Sequence, residues 1–430
     1  MYATALHCSF CATNFPLTNL GTCPICGKAG EESALNETLG VEYDLAALKS
    51  HLDRDRLARR AAGIWRYHEL LPVADPALRI DLGAGGTRLA RLTRLPESQM
   101  VQKLFMKIEG SNPTGSFKDR PIGVAASVAL EHGARGLACL TSGNIGSAMA
   151  AVAAKAGIPA LVFLLGSAGG AGGAKHAAVS VEKYVQISAY GARVITPQGD
   201  LGQLMALANR VEQELGWSFM HNVQGYQPDG DKTTAFEICE QLNWQAPAAV
   251  FVPAGTGTDL FGLWQGFHIF KELGFIERIP RMFAVQPEGA ASLAHAWKSQ
   301  MRVPTLLAQV EPNVAPPITH RVSGYHAYKA ILESHGGAVG VSDAAMLTAV
   351  KDLASGEGIY SEAASAAALA GIRTALADHL LDLEEIQEHG VVGILTSHGL
   401  KNTLALGKLY SPPPIVEGTW DGIQIYLSDL

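Results

Sequence analysis

The sequence has few charged residues and no excess of positive charge. Asp, Glu, Lys and Arg make up only 17% of it, and its formal net charge is −7. A chain without a basic field has little with which to attract nucleic acid or anionic lipid. We therefore expect no nucleic-acid partner.

Long apolar runs are also missing. No window of about 18 uninterrupted apolar residues occurs, which excludes an ordinary membrane-spanning helix. The N-terminus, MYATALHCSFCATNF, lacks the basic stretch followed by an apolar stretch that marks a secretory signal. These two absences predict a cytoplasmic protein without a membrane partner.

Cysteines are scarce as well, and four of the six lie close to the N-terminus in two CxxC pairs. Two such pairs can bring four thiolates into the tetrahedral arrangement that zinc prefers, and they leave no position open for a substrate. The sequence therefore predicts a structural zinc in a ribbon-like N-terminal segment. The alternative is a segment that packs without metal. The four candidate ligands are Cys8, Cys11, Cys23 and Cys26.

The chain is larger than one typical hydrophobic core, since it has 430 residues of which 48% are hydrophobic. Two or more domains are therefore expected. Short apolar runs alternate with longer segments that have helical spacing and end near glycine. This alternation predicts an α/β protein with parallel sheets covered by helices. The predicted strands are KLFMKIEG, GLACLT, PALVFLL, GARVITP, AAVFVPA, RMFAVQP and VVGILTS.

Three of the predicted strands run into loops of small and polar residues. These loops are TSGNIG, PAGTGTD and TSHGLKN. In open parallel sheets, ligands bind in the loops beyond the carboxyl ends of the strands. Backbone amides and glycines at the start of a helix also form an anion cradle, so AGTGT at 254–258 is a candidate phosphate site.

A single lysine, Lys118, follows a run of turn-forming residues in SNPTGSFKDR. A lysine amine can form a Schiff base with an aldehyde, and a phosphate cradle can hold the phosphate arm of the same cofactor. The combination predicts pyridoxal 5′-phosphate (PLP). In isolation Lys118 would be a surface lysine and Asn144 a helix cap, and only their occurrence together favours the cofactor site.

The motifs resemble, in the same order, those of the fold type II (tryptophan synthase β-like) PLP-dependent enzymes, and within them the threonine synthases. The resemblance includes GSNPTGSFKDR, TSGNIG, PAGTGTD and EGIYSEAASAAALAG with TSHGLKN. It implies two three-layer αβα domains with parallel-rich sheets beside the zinc-ribbon-like segment, and a homodimer. The implied boundaries are 1–40 for that segment, 41–125 with 215–430 for the large PLP-binding domain, and 126–214 for the small domain that carries the asparagine loop.

The resemblance also implies roles for individual residues. Lys118 would form the Schiff base and shuttle protons between substrate carbons, with Phe117 packed beside the cofactor. Asn144 would bind the ring hydroxyl and Thr396 would face the pyridine nitrogen. A hydroxyl stabilises a protonated ring less than a carboxylate does, which suits elimination and replacement chemistry. The phosphate would be held by Gly255, Thr256, Gly257 and Thr258, and the substrate carboxylate by Thr141, Ser142, Gly143 and Asn144.

Two positions of the predicted substrate site depart from the threonine synthase pattern. Ile145 stands where the family typically has a threonine that binds the substrate's phosphate, and Gln227 replaces an arginine with the same task. The loss of a planar, permanently charged, bidentate donor is a large change for a dianion site. Elimination or replacement on an activated, O-phosphorylated amino-acid substrate remains the implied function. The open alternatives are a β-replacement such as that of cysteate synthase (O-phosphoserine plus sulfite), a dehydratase-type β-elimination, and a PLP- and zinc-binding interaction protein without turnover.

Several other polar residues are expected to be structural. Asp119 and Arg120 are predicted to pair with each other at a helix start, and Glu362 to stabilise a helix N-terminus. Isolated histidines such as His320 and His398 are expected to serve the fold rather than the chemistry.

Overall fold

Strands and helices alternate along the part of the chain that the computed structural model describes. The described residues are 1–18, 21–27, 33–141, 143–164, 180–197, 201–220, 225–407, 409–413, 415–416, 418–420 and 423–424. The strands are β1 (Ala3–Cys8), β2 (Asn14–Phe15), β3 (Leu39–Tyr43), β4 (Leu89–Arg91), β5 (Leu104–Ile108), β6 (Leu137–Thr141), β7 (Ala160–Leu164), β8 (Arg193–Ile195), β9 (Ser218–Phe219), β10 (Ala249–Pro253), β11 (Arg281–Pro287), β12 (Gly337–Val341) and β13 (Val391–Leu395).

The α-helices cover the sheets and are mostly longer than the strands that they follow. They are α1 (Leu45–Lys49), α2 (Arg54–Ala58), α3 (Glu97–Met100), α4 (Asp119–Glu131), α5 (Asn144–Ala156), α6 (Val181–Ala189), α7 (Leu201–Leu215), α8 (Gln227–Gln241), α9 (Thr258–Glu272), α10 (Ser292–Lys298), α11 (Tyr325–Glu333), α12 (Asp343–Glu357), α13 (Ala363–Ala377), α14 (Leu383–His389) and α15 (Thr403–Gly407). Among the helices described, none is long and apolar enough to cross a membrane.

Two sheets are rich in parallel strands. The larger has the order β12-β11-β10-β13-β5-β4, and its neighbours are parallel except for β4 and β5. The smaller has the order β8-β7-β6-β9 and is parallel throughout. Every apolar run that predicted a strand lies in one of these sheets. The predicted α/β, parallel-rich fold is confirmed.

The N-terminal segment forms a third, antiparallel sheet of order β2-β1-β3. Its last strand ends at Tyr43, whose hydroxyl donates to Asp229 Oδ1 of α8 at 2.5 Å. The side chains of both residues are buried. This contact fixes the segment against a helix of the main body.

Helices α8 and α9 approach each other closely because α9 carries two glycines on the contact face. A β-carbon at Gly262 would lie 2.6 Å from Cβ of Asp231, and one at Gly266 would lie 2.6 Å from the carbonyl oxygen of Lys232. Separations this short would force a larger residue to push the helices apart. Helix α8 is therefore buried, although its first two turns are largely polar.

The predicted pair of Asp119 and Arg120 is wrong. Neighbouring residues of a helix point in different directions, so the two side chains meet different partners. Asp119 accepts hydrogen bonds from the backbone and the hydroxyl of Thr114, both at 2.7 Å. Arg120 instead binds Glu109 and Glu237 in the interior.

Candidate active site

The loops beyond β5, β10 and β13 meet at one edge of the large sheet, because these strands are parallel neighbours in it. The loop before α4 is joined to the loop after β13 by a hydrogen bond from Phe117 N to Thr396 O at 2.8 Å. Ser116 and Ser397 form a β-bridge beside it. The lysine motif and the TSHGLKN motif thus lie together.

Lys118 immediately precedes α4 and is partly buried. Its Nζ lies 4.4 Å from the centroid of the Phe117 ring. Burial raises the pKa of Asp259 to about 7, and the charge of Lys118 opposes this shift. Burial lowers the pKa of His320 to about 4, and the same charge adds to the lowering. The charge of Lys118 therefore acts on Asp259, which lies in the first turn of α9.

The predicted phosphate loop has the geometry of an anion cradle. Gly257 has φ +94°, and a β-carbon there would lie 2.3 Å from Cβ of Ala327, so only glycine fits. The next residue, Thr258, begins the long helix α9, whose free amides favour an anion. The hydroxyl oxygens of Thr256 and Thr258 are 3.1 Å apart. Gly255 also leaves little room, because a β-carbon there would lie 2.7 Å from the ring of His320.

A carboxylate that the sequence reasoning missed reaches this loop. Glu37, which lies just before β3, accepts a hydrogen bond at Oε2 from Thr258 Oγ1 at 3.2 Å. Burial raises the pKa of Glu37 to about 7, although hydrogen bonds from Thr256 and Thr258 and the charge of Lys118 act to lower it. No local pattern could have revealed this contact, since it joins residues 221 positions apart.

The asparagine loop follows β6 in the small sheet. Gly143 has φ +148°, and a β-carbon there would lie 2.3 Å from Cδ of Lys183. Asn144 begins α5 and donates from Nδ2 to Glu362 Oε1 at 3.4 Å. Its Oδ1 is buried and accepts no hydrogen bond from the described residues. A buried acceptor of this kind needs a donor, and a ring hydroxyl would supply one.

The other residues predicted for the substrate lie in different surroundings. Thr141 ends β6, is buried, and accepts from Gly143 N at 3.0 Å. Ile145 is 7% exposed and belongs to the hydrophobic core. Gln227 begins α8 and is fully buried. Ser142 lies outside the described residues.

Two buried lysines beside the asparagine loop were also missed. Nζ of Lys183 lies 3.5 Å from Glu362 Oε2. Glu362 lies at the N-terminus of α13, but its side chain makes no cap hydrogen bond to that helix and instead pairs with Lys183. Lys401 donates from Nζ to Thr114 O at 3.0 Å and to Ser147 Oγ at 3.2 Å. Burial, helped by the charge of Lys183, lowers the pKa of Lys401 to about 8. Lys401 belongs to TSHGLKN, whereas Lys183 follows no motif that would have identified it.

Thr396, which the resemblance assigns to the pyridine nitrogen, has a buried hydroxyl. The residue is 5% exposed, and its Oγ1 is 2.9 Å from Ser365 Oγ. Ser365 is held in turn by hydrogen bonds with the backbone N–H and carbonyl of Ser397, at 2.8 and 3.1 Å. The threonine hydroxyl is thereby fixed on rigid elements.

Two further carboxyl groups, one on α8 and one on α9, are buried and repel each other. Burial raises the pKa of Asp231 well above its usual range, and repulsion from Asp259 adds to this shift. Within the described part of the chain, neither oxygen of Asp231 has a hydrogen-bond partner. The charge of Lys118 acts to lower the pKa of both groups.

Together these residues fit PLP. A lysine amine, an anion cradle with two hydroxyls, and a buried acceptor without a donor correspond to the aldehyde, the phosphate and the ring hydroxyl of that cofactor.

The four N-terminal cysteines also fit a metal. Their Sγ atoms all lie within 4.8 Å of one another, with Cys8 and Cys26 at 3.4 Å and Cys11 and Cys23 at 3.7 Å. Zinc binds sulfur at about 2.3 Å, so tetrahedral ligands stand about 3.8 Å apart.

The sequence is similar to known families over most of its length. The pattern of the family described as pyridoxal-phosphate dependent enzyme matches residues 80–397. A threonine synthase of Methanocaldococcus jannaschii is 32% identical over 420 residues, which cover 96% of this chain and 100% of that protein. A threonine synthase of Methanosarcina acetivorans is 35% identical over 390 residues, covering 90% of this chain and 91% of that protein.

Solved structures share the fold at lower identity. A maize serine racemase superposes with a TM-score of 0.63 at 22% identity and covers 86% of this chain and 99% of its own. A threonine deaminase from Solanum lycopersicum also has a TM-score of 0.63, at 19% identity, with 83% of this chain and 93% of that one covered.

Proposed function

The chain belongs to the family of pyridoxal-phosphate-dependent enzymes, and from this premise we propose that it catalyses a threonine synthase-like elimination or replacement on an O-phosphorylated amino acid. The observation that carries the proposal is the end-to-end similarity to threonine synthases. The alternative of an interaction protein without turnover loses its support, because the family consists of enzymes.

For the cofactor, we propose the residues that the site brings together. PLP supplies an electron sink that stabilises negative charge on the α-carbon of an amino acid. Lys118 would anchor the cofactor through its amine, which would also move protons at the substrate carbons, and Phe117 would pack beside the ring. Asn144 would bind the ring hydroxyl, Thr396 would face the pyridine nitrogen, and residues 255–258 would hold the phosphate.

For the substrate, we propose that the asparagine loop, residues 141–144, binds the α-carboxylate. Ile145 and Gln227 have no positive charge for a leaving phosphate. Lys183 and Lys401 lie beside this loop and are buried, and a buried ammonium interacts strongly with an anion because water screens it little. We propose that these two lysines bind the anionic leaving group.

The replacement of residues at Ile145 and Gln227 keeps two alternatives open. Since the pair that would recognise O-phosphohomoserine is replaced at Ile145 and Gln227, the enzyme is also compatible with a β-replacement on O-phosphoserine, as in cysteate synthase, or with a dehydratase-type β-elimination. These reactions differ in leaving group and in the nucleophile that enters, and the products distinguish them.

We expect the purified enzyme to release phosphate from O-phosphohomoserine and to form threonine. The measurement is phosphate and amino-acid product from O-phosphohomoserine and from O-phosphoserine, each with and without sulfite. Sulfite-dependent release from O-phosphoserine alone would establish the replacement reaction instead. Conversion of unphosphorylated serine to a keto acid and ammonia, without phosphate release from either phosphorylated compound, would contradict the proposal in favour of the dehydratase.

A variant at Lys183 tests whether this lysine binds the phosphorylated substrate in the same assay. Lys183→Gln should raise KM for the phosphorylated substrate about tenfold or more, because a charge-assisted contact of about 1.5–3 kcal/mol is lost. Lys155→Gln, at an exposed lysine near the end of α5, is the matched control and should leave KM unchanged.

For the N-terminal segment, we propose one structural zinc bound by Cys8, Cys11, Cys23 and Cys26. We expect one zinc per chain, and a strong chelator should lower the thermal midpoint of the wild type because the segment folds around its metal. Cys8→Ser should have a lower midpoint from the start and should respond little to chelator. Substoichiometric zinc with a midpoint that chelator does not change would contradict the proposal.

We further propose the domain division given by the resemblance and a cytoplasmic homodimer. The three sheets support the domain division. Strands β1–β3 end at Tyr43, strands β6–β9 lie within residues 137–219, and the large sheet contains the remaining strands. The dimer is supported by apolar side chains of the tail that are exposed in this single chain, among them Ile415 and Trp420.

A further inference from the structure

Glu37 places a carboxyl group inside the cradle that is proposed for the cofactor's phosphate. Its Oε2 accepts from the hydroxyl of Thr258 at 3.2 Å, and that hydroxyl lies 3.1 Å from the hydroxyl of Thr256. These two hydroxyls are donors that a phosphate in this loop would require. A carboxylate and a phosphate oxygen are both acceptors, so they compete for the same protons.

The backbone of Glu37 is held from two sides. On one side, the carbonyl of Thr38 accepts from Ser9 N at 2.8 Å, and the Thr38 hydroxyl lies 3.3 Å from Cys8 Sγ. On the other side, the carbonyl of Glu37 accepts from His326 N of α11 at 3.3 Å. The four-cysteine segment and α11 therefore hold the backbone of Glu37 in place beside the phosphate loop.

The groups around this carboxyl group do not neutralise it fully. Thr256 and Thr258 are neutral donors. His326 Nε2 lies 3.9 Å from Oε2, but burial lowers the pKa of His326 to about 3, so the imidazole is uncharged at neutral pH. Lys118 is the cation that acts on Glu37. A dianionic phosphate would thus meet an ionised carboxylate at short range, and two like charges in a partly desolvated site repel strongly.

We propose that Glu37 competes with the phosphate of PLP for this cradle, so that the N-terminal segment sets the affinity of the enzyme for its cofactor. The inference rests on the proposed function, because it takes residues 255–258 as the phosphate site. The cofactor binds when Glu37 becomes neutral or withdraws from Thr258. In the absence of phosphate, the ionised carboxylate holds the two hydroxyls in place.

The test is a comparison of Glu37→Gln with the wild type in binding titrations followed by tryptophan fluorescence. Two probes are used, PLP and pyridoxine 5′-phosphate, which lacks the aldehyde and so reports on the phosphate site without covalent attachment. At about pH 8 the variant should bind both probes about tenfold more tightly, because the repulsion is gone. At about pH 6 most of the wild-type carboxyl is protonated, since burial raises the pKa of Glu37 to about 7, and the difference should shrink.

The matched control is Glu42→Gln, which removes a carboxylate from the exposed side of β3 and should bind both probes as the wild type does. A second measurement is the rise in thermal midpoint caused by inorganic phosphate, which should be larger for Glu37→Gln than for the wild type. Equal or weaker binding by Glu37→Gln would overturn the inference and leave the proposed function intact. A wild type that binds neither probe would overturn both.

Discussion

Replacing Lys118 by alanine should give a protein that lacks the visible absorbance of PLP held as a Schiff base, and whose catalytic activity is lower by roughly 10³-fold or more. The expected loss is this large because one amine serves as both covalent anchor and proton-transfer group, and proton transfer alone contributes about 10²–10⁴-fold. The measurement is the absorbance spectrum after incubation with PLP, before and after borohydride, beside an assay of phosphate release.

Two further variants serve as controls. One keeps the positive charge but removes the primary amine, and the other removes a lysine outside the site. Lys118→Arg keeps a cation beside Glu37 and Asp259 but cannot form the Schiff base, so it should be as colourless and inactive as the alanine variant while remaining folded. Lys271→Ala, at an exposed position near the end of α9, should keep the band and lose it on treatment with borohydride. A band that borohydride still bleaches in Lys118→Ala would show that another lysine carries the cofactor.

The sequence revealed those parts of the fold and site that depend on local pattern. Buried parallel strands are short and apolar, so β5, β10 and β13 could be recognised, and the loops beyond them followed from the rule that parallel strands end at one edge. The phosphate loop could be predicted because glycine must occupy positions such as Gly257, where no β-carbon fits. Strand β12 was not predicted, since GAVGV is short and contains two glycines.

The features that the sequence did not reveal depend on contacts between distant residues. Glu37 and Lys183 reach the phosphate loop and the asparagine loop only when separate segments of the chain fold together. Helix α8 begins with Gln-Pro-Asp-Gly-Asp, a composition typical of exposed turns, yet the helix is buried because α9 packs closely against it and because Asp229 finds a partner in Tyr43. The expectation that Arg120 would pair with its neighbour failed for the same reason.

Arg120→Met should destabilise the fold by about 3–5 kcal/mol, the expected cost of leaving buried carboxylates without their partner. Arg120 is fully buried, contacts Glu237 at 2.7 Å through two nitrogens, and contacts Glu109 at 2.7 and 2.9 Å. Lys107, 2.7 Å from Glu237, would remain as the one nearby cation for two carboxylates in the described network. Urea denaturation at neutral pH measures the loss, and Arg373→Met, at a partly exposed arginine that binds Glu97, should cost about 1 kcal/mol or less.

The pH dependence distinguishes a lost charge from lost packing. Burial alone would raise the pKa of Glu109, but the charge of Arg120 outweighs burial and lowers it. Burial would also raise the pKa of Glu237, but the charges of Arg120 and Lys107 together lower it. A lowered carboxyl pKa stabilises the wild type above the unfolded pKa of about 4.3, and that stability is lost as pH falls. In Arg120→Met the folded-state pKa values should rise, so the stability difference should be largest near neutral pH and should narrow as pH falls towards about 4. A difference that stays constant with pH would mean that Arg120 stabilises the protein by filling space, because a packing defect does not titrate.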